Sequence, residues 1–96
     1  MNIISGTEAK KLIEEHNAIL VDVRNTHEFA TGAVPGAVNV PLHVLPVKAQ
    51  ELIDMAKPVI LYCVSGARSM QAQMLLQSMG YATVKNVGSI QNFMNS

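Results

Sequence analysis

Two stretches of this chain, Ala18-Ile19-Leu20-Val21-Asp22-Val23 and Val59-Ile60-Leu61-Tyr62, are apolar almost without a break. A strand wet on one face alternates apolar and polar residues, whereas one apolar on both faces belongs in a parallel sheet covered on both sides. Helical periodicity surrounds these runs. Ala9, Leu12, Ile13 and His16 recur at i, i+3, i+4, i+7 behind Ser5-Gly6-Thr7-Glu8, whose spacing suits a capping box with Ser5 as N-cap and Glu8 reaching back. Ala72, Leu75, Leu76 and Met79 repeat the pattern, so a helix is expected from about Ser69 to Met79, with Gly80 left-handed just beyond it. Shorter helices are expected from Asn25-Thr26-His27-Glu28 to about Ala30, near Lys48–Met55 with Leu45, Leu52 and Ile53 inward, and over Gly88–Met94. Short strands are expected at Asn2–Ile4, Ala37–Val40 and Tyr81–Asn86. Strands alternating with helices imply an α/β fold, a parallel sheet with helices on both faces.

The 96 residues fit one domain, expected to span residues 1–96. Hydrophobic residues make up 49% and charged ones 15%, which excludes intrinsic disorder. Seven basic residues balance seven acidic ones, so no electrostatic footprint suggests nucleic acid or an anionic membrane. No apolar run approaches the ~18 residues of a membrane span. The first residues lack the basic and apolar regions of a signal peptide, and a cytoplasmic location is expected. Cys63 is the sole cysteine, which excludes an internal disulfide and any multi-cysteine metal site. His16, His27 and His43 show no metal spacing, so no metal and no cofactor is expected. Met70, Met74 and Met79 on one helix read as core filling, with a partner-facing role as the alternative.

Ligands of open α/β sheets gather at the carboxyl ends of strands. The second apolar run ends there in Cys63, followed by Val64-Ser65-Gly66-Ala67-Arg68-Ser69 and a helix start. A helix N-terminus presents unpaired N–H groups and a partial positive charge of about half a unit. A loop curling before it turns further N–H groups inward as an anion nest. With Arg68 adding a permanent charge, these features favour a thiolate and a Cys63 pKa below ~8.5. Gly66 lets the loop turn tightly. At the end of the first run, Asp22 and Arg24 have two readings. They pair with each other, with Glu28 or with backbone and fix the adjacent loop, or Arg24 borders the pocket and attracts anions.

These residues resemble a single-domain rhodanese of the rhodanese-like sulfurtransferase family. Cys63-Val64-Ser65-Gly66-Ala67-Arg68-Ser69 is similar to the family's Cys-x-x-Gly-x-Arg-Ser loop. Asp22-Val23-Arg24 with Glu28-Phe29, the segment Thr31–Pro41, Gly80-Tyr81 and Val84-x-x-Val87-Gly88 match its remaining signatures. The sequence departs from the pattern at Ala33, where the family has histidine, at Ser89, where it has a second glycine, and at Phe93, where it has tryptophan. The resemblance implies a three-layer α/β/α domain with a five-stranded, mainly parallel sheet. It also implies sulfur transfer. The Cys63 thiolate takes sulfane sulfur from thiosulfate or a related donor, becomes a persulfide, and passes the sulfur to a small thiol, a dithiol protein or cyanide. The backbone N–H groups of Val64 to Arg68 hold the persulfide, and Arg68 either attracts the donor or braces the loop. A monomer is expected. Two alternatives share the fold: a phosphatase or arsenate reductase, whose Cys-x5-Arg loop is one residue longer, and a non-catalytic sensing or protein-binding module.

Overall fold

The computed structural model describes residues 3–95. Its elements run α1 (Gly6–His16), β1 (Ile19–Asp22), α2 (Thr26–Thr31), β2 (Val38–Asn39), a 3-10 turn (Leu42–Val44), α3 (Leu45–Leu52), β3 (Val59–Cys63), α4 (Ala67–Ser78), β4 (Val84–Ser89) and α5 (Ile90–Met94). The sheet is parallel throughout, in the order β2-β1-β3-β4. Both apolar runs form its interior strands, and every residue of β3 is buried. Alternate residues of the strands divide the core. Val21, Leu61, Val84 and Cys63 pack with Leu45 and Ala49 of α3 and Ala72 and Leu76 of α4. Leu20, Ile60, Tyr62 and Val87 pack with Ala9 of α1 and Phe93 of α5.

The sheet has four strands among the described residues rather than the expected five. Ile3 makes an isolated bridge to Asn86, and Ile4 N–H donates to Asn86 O at 2.9 Å. Ser5 then accepts from Glu8 N–H at 3.0 Å and starts α1, which cuts the would-be strand short. Asn2 lies outside the described residues. Helix α3 sits three residues earlier than expected because Pro46 lies in its first turn, where the fixed φ and missing N–H of proline favour helix initiation. Leu45 and Ile53 point inward as expected, but Leu52 is 44% exposed.

The last strand also differs. It begins at Val84 and continues to Ser89, with a register shift: Leu61 pairs with Asn86, but Tyr62 with Gly88. Val87 is the extra residue of this bulge. Tyr81, expected in the strand, turns away so that its hydroxyl donates to Ala49 O at 3.0 Å and Ile53 O at 2.7 Å. It thereby ties the end of α3, where Ala49 O also accepts from Ile53 N–H at 2.7 Å, to the segment that follows α4.

Candidate active site

Cys63 is the last residue of β3, and the next three residues turn the chain into α4. Gly66, the residue before the helix, has φ +99. A side chain there would be strained, and a Cβ would lie 3.3 Å from Gly88 Cα. The sharp turn aims the helix start back at the sulfur. Gly66 N–H donates to Cys63 Sγ at 3.0 Å, and Ser69 Oγ lies 3.5 Å from the same sulfur. Ser69 Oγ is also 3.1 Å from Gly66 O and 3.4 Å from Gly88 O. One hydroxyl proton thus faces three acceptors, and an ionised sulfur, as the strongest of them, takes it.

Burial works to raise the Cys63 pKa. Hydrogen bonds from the Ser69 hydroxyl, and from the N–H groups of Ser69, Gly66 and Arg68, outweigh it and hold the thiol below its ordinary value. The sulfur lies at the floor of its loop, with Cys63 and Ser69 fully buried and Val64, Ser65 and Ala67 exposed above.

Arg68 does not point a free charge at the sulfur. Its guanidinium makes a two-pronged pair with Glu28 at 2.6 and 3.0 Å, tying α4 to α2. Glu28 also accepts from Asn25 N–H at 2.9 Å, closing the start of α2. Its carboxyl is drawn down to about 2, first by the Arg68 hydrogen bond and then by Asn25 N–H. Of the two placements open for Arg68, the geometry is that of a brace.

Asp22 and Arg24 pair with each other, both buried, at 2.7 Å. Arg24 Nη2 also donates to Gly32 O at 2.6 Å, and its guanidinium lies 5.7 Å from the Tyr62 ring centre. Asn39 Nδ2 closes the turn by donating to Asp22 O and Arg24 O at 3.0 and 2.9 Å. These contacts fix the segment leading into α2, and so the position of Glu28. Burial lifts the Tyr62 phenol to about 12, so it stays protonated. Its oxygen accepts from Val34 N–H at 3.1 Å and anchors the turn from Val34 to Ala37, which Ala33 precedes. Ser89 caps α5 by accepting from Asn92 N–H at 3.0 Å, and Phe93 is buried beneath Tyr62 and Leu20 in the second core cluster. No group of residues that could hold a metal ion occurs among the described residues. No helix among them is long and apolar enough to cross a membrane.

A sequence model of the rhodanese-like domain matches residues 5–96. The chain belongs to the rhodanese-like domain family. A sulfurtransferase of Allochromatium vinosum is 38% identical to this chain over 85 residues, covering 88% of the chain and 78% of that protein. The human thiosulfate:glutathione sulfurtransferase is 33% identical over 96 residues, covering 86% and 84%. In structure, the human single-domain sulfurtransferase TSTD1 superposes with a TM-score of 0.83 at 26% identity, over 100% of this chain and 97% of that one. Sequence reasoning singled out Glu28 and Gly88 but not the pairing of Glu28 with Arg68 or the packing of Gly88 against the loop, and it passed over Asn86 altogether. Only the glycine, at a position that must adopt positive φ, offered a hint.

Proposed function

We propose that residues 1–96 act as one sulfurtransferase unit that carries sulfane sulfur on Cys63. The observation that supports this reading best is the donor set around Sγ, with Gly66 N–H at 3.0 Å and the Ser69 hydroxyl at 3.5 Å. A thiolate formed in advance attacks without a general base. Cys63 S⁻ attacks the outer sulfur of thiosulfate or another sulfane donor. The donor's S–S bond breaks, and sulfite, or the equivalent group, leaves with the electron pair. The product is a Cys63 persulfide anion, whose charge the N–H groups of Gly66, Arg68 and Ser69 would stabilise. An acceptor thiolate, or cyanide, then attacks the terminal sulfur, and Cys63 thiolate leaves with the pair, ready for another cycle. This is covalent, two-stage catalysis. The human relative is named for thiosulfate and glutathione. By extension a small thiol is the acceptor to test first here.

Intact mass measurement after incubation with thiosulfate tests the reading. The wild type gains one sulfur atom, which cyanide removes as thiocyanate, and Cys63→Ser gains none. Sulfur retained by Cys63→Ser would place the carrier elsewhere.

A further inference from the structure

Asn86 is wholly buried in β4, yet its Nδ2 has no hydrogen-bond partner. A buried donor left unpaired costs folding free energy, so this side chain is a poor choice for stability alone. Its oxygen is engaged. Oδ1 accepts from Gly88 N–H at 2.7 Å, spanning the bulge at Val87. Gly88, at φ +86, then makes two contacts with the loop. Its Cα sits where a Cβ on Gly66 would come within 3.3 Å, and its carbonyl lies 3.4 Å from Ser69 Oγ. Gly66 and Ser69 are the residues whose N–H and hydroxyl approach Cys63 Sγ.

We propose that Asn86 is a positioning residue for the sulfur-carrying loop, its Oδ1 holding the bulge that seats Gly88 under Gly66 and Ser69. The inference rests on the reading of Cys63 as the sulfur carrier. Without the Asn86 oxygen, Gly88 N–H loses its acceptor, the bulge relaxes towards regular pairing, and the floor under Gly66 moves. The donors to the sulfur then shift by tenths of an ångström, which such bonds register strongly. Of the charged groups on the surrounding elements, Glu28 pairs with Arg68 and Asp22 with Arg24, Lys85 beside Asn86 on β4 is exposed, and neither ion pair includes Asn86.

The test compares Asn86→Ala with Asn86→Ser. The two leave nearly the same space, but the serine oxygen can accept from the N–H two residues on. The readout is the pH dependence of Cys63 alkylation by iodoacetamide, which needs no sulfur transfer. The alanine variant should alkylate with a pKa about one unit higher, a tenfold loss of thiolate at a pH below it. The serine variant should recover at least half of that shift, and its sulfur transfer at neutral pH should recover in parallel. Should Asn86→Ala fail to fold, Asn86→Leu, which fills the volume without an acceptor, takes its place. A wild-type pKa in the alanine or leucine variant overturns the proposal, as does a serine variant no better than alanine. Failure of Cys63 to take up sulfur in the wild-type protein overturns the carrier reading instead, and alkylation detects the difference.

Discussion

At the scale of the residue, the site depends on which group holds the Cys63 charge. The sequence suggests the helix terminus and Arg68, since both are positive and both lie close along the chain. The structure transfers much of that task to Ser69, whose hydroxyl is the strongest of the influences that lower the Cys63 pKa. Arg68 spends its hydrogen bonds on Glu28. Two expectations follow for alkylation against pH. Wild-type Cys63 should titrate below the free-thiol value of ~8.5, because the thiolate is the form its neighbours favour. Ser69→Ala should raise that pKa by about one unit and lower sulfur transfer at neutral pH about tenfold, with most of the loss regained as pH rises. The sign is fixed by the chemistry: losing a donor to the anion moves the pKa up, so activity returns at higher pH. An unchanged titration in Ser69→Ala would leave the backbone N–H groups as the sole support of the thiolate.

At the scale of the element, the site is held by a cross-strut between α2 and α4. Glu28 is ionised in the folded chain down to about pH 2, whereas an unpaired glutamate titrates near 4.5. A folded pKa below the unfolded one contributes stability that is fully present above about 4.5 and lost as pH falls towards 2. The thermal unfolding temperature should therefore fall more steeply on acidification for wild type than for Glu28→Gln, with the difference confined to that window. Because the pair is solvent-accessible, high salt should narrow the gap. This strut marks the limit of what the chain discloses on inspection. The capping spacing places Glu28 at the start of α2, and it is found there. Its second partner is 40 residues away, and no local pattern carries that information. The buried strands, α1 and the inward face of α4 were legible because burial imposes a period of two or 3.6. The exit from α3 and the start of β4 were not. Tyr81 belongs by propensity in a strand, yet two carbonyls at the end of α3 hold its hydroxyl instead. The bulge at Val87 was equally hidden, since the apolar pattern reads the same with or without one extra residue.

At the scale of the whole molecule, β3 lies inside the sheet with β1 and β4 on either side, and the loop after it is gripped by two distant parts of the chain and by a contact of its own. Gly66 rests on Gly88 of β4, Arg68 is clasped by Glu28 of α2, and Ser69 reaches back to Cys63. Only Val64, Ser65, Gly66 and Ala67 separate Cys63 from Arg68. With both ends pinned, an added residue cannot be absorbed by sliding the helix, and it must bow the loop outward. Inserting a glycine between Ser65 and Gly66 should then carry the N–H donors away from the sulfur. Donors of this kind act at about 2.7–3.1 Å from the developing charge, and a misplacement of about 1 Å can cost on the order of 10²-fold in rate. We expect the folded insertion variant to lose sulfur transfer by about that factor while its Cys63 alkylation pKa moves towards ~8.5. On the proposed reading, in which the short loop takes one added sulfur, the wild type should hydrolyse aryl phosphates negligibly. Near-ultraviolet circular dichroism confirms folding before rates are compared. Full sulfur transfer in a folded insertion variant would show that ring size does not govern the chemistry. Aryl phosphate hydrolysis as fast as sulfur transfer in the wild type would show that the loop accepts oxyanions as readily as it accepts sulfur.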